Sequence, residues 1–169
     1  LVGLQLRDIV IEDLLRRPPA EISLAEIAAF LTDKVVLITG AGGSIGSELC
    51  RQIASFNPKR LLLVDQSEVQ AFPIEQELIE SGYGGIVLPI VADIRDQTRI
   101  QHVLQRFRPE VIFHAAAHKH VPMMEGQPAE AIRNNTLGTV RLAEMAIESG
   151  VDRFVLISTD KAINPTNVM

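Results

Sequence analysis

Hydrophobic positions along the chain fall into short continuous runs that alternate with stretches of helical spacing. The runs predict strands at Val35–Thr39, Leu61–Val64, Ile86–Val91, Val111–His114 and Arg153–Ser158. Leu61-Leu62-Leu63-Val64 is continuous rather than alternating, as expected for a strand buried on both faces. Between them the pattern predicts a helix from about Ser44 to Phe56, ended before Pro58, and a second from about Ser67 to Glu80. Pro73 would kink that second helix or mark its true start. Asp96 caps a third, with Ile100, Val103, Leu104 and Phe107 on one face before Pro109. A single long helix is expected from Pro128, suited to a first turn, to Ser149, with Gly150 at its C-terminal cap. Strands alternating with helices predict an α/β fold with a parallel doubly wound sheet of about five strands.

Residues 1–34 stand apart as an arm ahead of the 35–169 domain. Ile9 to Leu15 form an apolar cluster closed by Arg16-Arg17-Pro18-Pro19. Ser23-Leu24-Ala25-Glu26 has the form of a capping box, and Leu24, Ile27, Ala28 and Leu31 then share a face. The arm reads as packing laid over the domain, or as a linker from something upstream. The chain starts at Leu1 without an initiator methionine and stops at Met169 in an apparent loop, which reads as part of a longer protein.

Composition narrows the function classes. A length of 169 residues with 47% hydrophobic content suits one domain with a core. Sixteen Lys and Arg stand against 21 Asp and Glu, a net charge of −5 with no basic run, which argues against a nucleic-acid surface. Cys50 is the only cysteine, so no internal disulfide can form; a reducing, cytoplasmic setting fits, and the residue reads as a small buried one. No apolar run approaches the roughly 18–20 residues of a membrane-spanning helix, and no signal peptide is recognisable.

Candidate chemistry begins where the first strand ends. Thr39 is followed by Gly40, Gly43 and Gly46, a T-G-x-x-G-x-x-G turn; the G-x-G-x-x-G spacing would place its third glycine at Ile45 and fails. Ser44 and Ile45 open the helix after it, and backbone N–H groups at such an end suit a pyrophosphate. Asp65 ends the second strand, where a carboxylate accepts from adenosine ribose hydroxyls and repels a 2′-phosphate. With Gln66 next rather than Arg or Lys, NAD is favoured over NADP. Asp65 could instead cap the following helix. Asp93 could accept from an adenine amino group while Ile94 packs on the ring, or Asp93 could be a turn residue.

After the fourth strand, Ala115, Ala116 and Ala117 would let backbone approach a cofactor closely. His114, His118 and His120 invite a metal reading, but His114 lies in the strand and no cysteine or carboxylate cluster accompanies them, so no metal is expected. Lys119 is either a cation near a diphosphate or a solvated loop residue, and Met123 and Met124 read as packing residues. Asn134 and Asn135 sit inside the long helix against propensity, which suggests side chains turned toward a site, Asn135 above all; an exposed face is the plainer account of Asn134. Ser158-Thr159-Asp160-Lys161 ends the fifth strand, on the edge where open α/β sheets bind ligands. Asp160 and Lys161 could form a proton-transfer pair, or an ordinary strand-end arrangement.

Together these stretches resemble the extended short-chain dehydrogenases/reductases with their Rossmann fold. More narrowly they resemble the UDP-N-acetylglucosamine 4,6-dehydratases of the polysaccharide biosynthesis protein family. The resemblance rests on Thr39–Glu48, on His114–Glu125 and on Ser158–Met169. From Ile11 onward the arm resembles the segment ahead of the catalytic domain in long, membrane-anchored members. That implies an upstream anchor and a place at the cytoplasmic face of the inner membrane, with no membrane contact by this chain.

The resemblance implies NAD as cofactor, a UDP-sugar as substrate, and a redox-neutral lyase reaction. Oxidation at C4 would acidify the C5 proton, removed by Lys161; Asp160 would protonate the departing C6 hydroxyl; Thr159 would hydrogen-bond the 4-oxygen. Hydride would return to C6, giving a UDP-4-keto-6-deoxy sugar. Met169 falls where most short-chain dehydrogenases have the Tyr of Y-x-x-x-K; the long dehydratases resembled here also have Met at this position. Alternatives are a UDP-hexose 4-epimerase and a non-catalytic NAD-binding regulator. By itself the chain is expected to bind NAD without turnover. Its fifth strand would form a sheet edge open to self-association, and a homo-oligomer is expected.

Overall fold

The computed structural model describes residues 23–159 and 162–168. Five parallel strands form one sheet in the order β3-β2-β1-β4-β5: β1 Val35–Thr39, β2 Arg60–Asp65, β3 Val87–Val91, β4 Val111–His114 and β5 Arg153–Leu156. This is the doubly wound Rossmann architecture. Its strand order reverses between β1 and β4, the crevice where ligands of open α/β sheets bind.

Side chains alternate across the sheet, so each buried strand feeds two cores. Leu37, Leu62, Val64 and Ile112 point to one layer, packed by α4 (Gln97–Phe107) and α7 (Thr139–Glu148) through Val103, Leu104, Leu142 and Met145. Val36, Ile38, Leu61 and Leu63 point to the other. There α1 (Leu24–Leu31), α2 (Ser44–Ala54) and α3 (Glu68–Leu78) contribute Leu31, Ile53, Ile74 and Leu78. Two-sided burial explains the unbroken apolar runs of β1 and β2, whereas the edge strands β3 and β5 are only partly buried. Cys50 belongs to the second core, fully buried, and burial pushes its thiol up to about 12, so it is no nucleophile at neutral pH.

Local signals account for the helix starts. Ser23 Oγ accepts from the Glu26 N–H, Ser67 Oγ from the Gln70 N–H, and an Asp96 oxygen from the Arg99 N–H. α3 runs through Pro73, which neither breaks it nor marks its start, and is followed by a kinked turn over Ile79–Tyr83 where Gly82 has φ +91°.

The long helix differs from expectation. It begins as α6 (Pro128–Ala131), becomes π-helical over Ile132–Gly138, and resumes as α7. Ahead of it lies a short helix, α5 (Val121–Glu125), that the hydrophobic pattern did not reveal. Met124 of α5 is buried as expected for a packing residue, whereas Met123 is exposed. Among the described residues no helix is long and apolar enough to cross a membrane.

Candidate functional site

The carboxyl ends of β1, β2, β3 and β4 converge on one cleft, and the glycine turn forms one wall. Gly40 takes φ +68°, and a Cβ there would stand 2.8 Å from the Ala115 carbonyl and the Ala116 Cα. Gly46, in the first turn of α2, presses against the Gly40 carbonyl so closely that any side chain would collide with it. The two contacts fold the turn flat against β4 and α2. The N-cap position of α2 is Gly43, which has no side-chain oxygen, and no acidic residue occupies the first turn. Its positive end is therefore left for an anion from outside.

Asp65 organises the opposite side. It is buried, one oxygen accepting from the Gly42 N–H at 2.9 Å and the other from the Ser67 N–H at 2.9 Å. The carboxylate thus ties the glycine turn to the start of α3, but the cap of that helix is Ser67 rather than Asp65. Each oxygen retains acceptor capacity toward the cleft. Gly42, absent from the T-G-x-x-G-x-x-G reading, is the turn residue bonded to Asp65. Gln66 lines the same wall and is exposed.

Asp93 and Ile94 lie on the cleft after β3. Asp93 closes a turn by accepting from the Arg95 N–H at 2.8 Å, and the Arg95 guanidinium on both oxygens holds its carboxyl below the usual range. Arg95 also reaches Glu130 of α6 at 2.9 Å. Ile94 is buried, and Gly138 packs on it.

The β4 end supplies the floor, Ala115, Ala116 and Ala117. Here the π-helical segment acts. Asn135 Oδ1 accepts from the His118 N–H at 2.8 Å and its Nδ2 donates to the His118 carbonyl at 2.9 Å, clamping the loop backbone. Asn134, buried and lining the cleft, donates to Asn135 Oδ1 at 3.0 Å. Propensity singled out this pair with Asn135 as the site candidate, but the residue on the cleft wall is Asn134, and Asn135 holds the loop. Asn135→Ala should destabilise the fold by about 1–3 kcal/mol and speed hydrogen exchange at the His118 amide; wild-type protection there would contradict the clamp.

His114 has a threonine hydroxyl at each ring nitrogen. Its Nδ1 lies 2.7 Å from Thr39 Oγ1 and its Nε2 lies 2.8 Å from Thr139 Oγ1. Burial pushes its pKa down to about 4, leaving the ring neutral at pH 7. Among the described residues no group of three His, Cys, Asp or Glu could hold a metal ion.

Ser44 and Ile45 open α2, whereas Lys119 is exposed and outside the cleft wall. Ser158 and Thr159 lie just past β5 at the same sheet edge, where the Ile157 N–H bonds the His114 carbonyl. Asp160, Lys161 and Met169 lie outside the described residues, as do residues 1–22. Gln70 and His118 also line the cleft without having been singled out for it.

A sequence model of a family described as polysaccharide biosynthesis protein matches residues 36–169. Capsular polysaccharide biosynthesis protein CapD of Staphylococcus aureus is 51% identical over 166 residues, covering 97% of this chain and 28% of that protein. A UDP-N-acetylglucosamine 4,6-dehydratase (inverting) of Campylobacter jejuni is 30% identical over 136 residues, 80% of this chain and 39% of the enzyme. Among solved structures, a UDP-glucose-4-epimerase from Stenotrophomonas maltophila with bound NAD and formylated UDP-arabinopyranose superposes with a TM-score of 0.66 at 25% identity. It covers 76% of this chain and 38% of that one. The chain thus spans well under half the length of each of these proteins.

Proposed function

The chain belongs to the polysaccharide biosynthesis protein family, and from that premise we propose that it is the NAD-holding part of a sugar-nucleotide 4,6-dehydratase acting on UDP-N-acetylglucosamine. One observation carries the cofactor reading: the free positive end of α2 and the buried carboxylate of Asp65 face a single cleft beside a backbone that only glycine permits. That combination suits a pyrophosphate and a ribose diol together.

In this reading the N–H groups around Gly43, Ser44, Ile45 and Gly46 hold the pyrophosphate, with Gly40 keeping the turn low. Asp65 accepts from the ribose hydroxyls with Gln66 beside it. Ile94 packs on the adenine near Asp93, and Ala115, Ala116 and Ala117 leave room for the dinucleotide. Asn135 contributes through the loop it clamps. Ser158, just past β5 at the same sheet edge, is assigned to the ligand as well, whereas Lys119 stands outside the cleft wall. When bound, NAD supplies a reversible hydride acceptor. Lys161 removes the C5 proton, Asp160 delivers a proton to the departing C6 hydroxyl, and Thr159 hydrogen-bonds the 4-oxygen. Met169 transfers no proton, so the C4 hydroxyl proton leaves by another group.

The likeness to the epimerase supports a second reading, a UDP-hexose 4-epimerase, which needs no acid and base for C6. Incubating the full-length enzyme with UDP-N-acetylglucosamine separates them by mass and NMR: loss of one water is expected, and an isomer of unchanged mass would overturn dehydration. Lys161→Ala should abolish the 4-keto-6-deoxy product while NAD stays bound; unchanged turnover would remove Lys161 from its role.

A further inference from the structure

We propose that His114 is a positioning residue of the dinucleotide cleft, its imidazole fixing the distance between the glycine turn and the Asn134–Asn135 wall. The proposal rests on the reading of the cleft as a NAD site. Three segments meet at this ring. Thr39 is the last residue of β1, immediately before Gly40; His114 is the last residue of β4, immediately before Ala115; Thr139 is the first residue of α7, where the π-helical segment ends. Thr39 and His114 are register partners, and the Ala115 N–H bonds the Thr39 carbonyl at 3.1 Å. The ring therefore sits behind the cleft wall, one residue from the turn and from the floor. Through Gly138 it is also joined to the segment that carries Asn134.

The chemistry of the ring makes the connection directional. A neutral imidazole has one N–H and one bare nitrogen, so it donates to one threonine and accepts from the other. Thr39 is fully buried, His114 is 2% exposed, and the Phe154 ring packs 5.9 Å away, so water has little access to replace the bond to Thr39. A purely apolar residue would fill the space but would leave two hydroxyls unpartnered and the three segments unlinked. The linkage joins residues 75 and 25 positions apart, so no local turn can stand in for it.

The test is NAD⁺ titration of the full chain alongside its thermal transition, for wild type, His114→Phe, Thr139→Val and the double variant. Each single variant is expected to weaken NAD⁺ binding about tenfold, with little further loss in the double variant, because both break one linkage. Lower thermal midpoints with wild-type affinity in the folded protein would reduce His114 to a core residue and overturn the proposal. Additive losses would overturn the linkage. Should His114→Phe fail to fold, Thr139→Val, which removes only one partly exposed hydroxyl, decides by the same two readouts. Wild type that fails to bind NAD⁺ would overturn the cofactor reading and the proposal with it; wild-type binding with unaltered variants overturns the proposal alone.

Discussion

Gly46→Ala is expected to cost the protein both stability and dinucleotide binding. A Cβ at residue 46 would collide with the Gly40 carbonyl oxygen, and would also stand 2.6 Å from the Gly40 carbonyl carbon and 2.9 Å from the Ala41 Cα. All three neighbours are backbone, so no side chain can rotate away; the turn itself has to move. Inserting one methyl group into packed structure typically costs about 1–3 kcal/mol, and backbone contact places this site at the upper end. Displacing the turn also moves Gly40, whose φ of +68° and contact with Ala115 leave it no alternative position. A shifted turn no longer presents its N–H groups with the end of α2, so NAD⁺ affinity should fall by at least tenfold. Gly85→Ala is the control, since a Cβ there meets nothing within 4 Å. Urea unfolding with NAD⁺ titration checks both effects, and a Gly46→Ala protein matching the control would contradict the packing argument.

The same turn shows how far the amino-acid pattern reached. Strand–turn–helix order was legible because continuous apolar runs and glycine spacing are local properties. The five strands follow from them to within a few residues. Asp65 was legible as a carboxylate at a strand end, but its bond to the Gly42 N–H was not, because that bond joins residues 23 positions apart. The π-helical segment was hidden for a different reason. Widening a helix by one residue leaves the apolar spacing almost unchanged, and only the low helix propensity of Asn134 and Asn135 hinted at it. α5 escaped because a five-residue helix beginning Val121-Pro122 is too short to show a period.

His114 was the least legible residue and should dominate acid sensitivity. In the unfolded chain its imidazole titrates near its ordinary value of 6.5; in the folded protein burial pushes the pKa down to about 4. Between these values the unfolded state binds the extra proton and the folded state does not, so stability rises with pH across that window. The contribution is complete above pH 6.5 and is lost as pH falls toward 4. It amounts to about 3 kcal/mol over the whole window and about 2 kcal/mol by pH 5. The carboxyls of Asp93 and Glu110 are held low by Arg95 and Lys34, so their contributions are lost only at more acidic pH, below their ordinary values of 3.8 and 4.5. Urea unfolding at pH 7.5 and pH 5 should therefore show wild type losing about 2 kcal/mol, with most of that pH dependence absent from His114→Phe. A wild-type protein equally stable at the two values would mean that the ring accepts its proton in place, and that the bonds to Thr39 and Thr139 survive as those of an imidazolium. Such an imidazolium could only donate, so both hydroxyls would have to accept, and neither threonine would need the ring to be neutral.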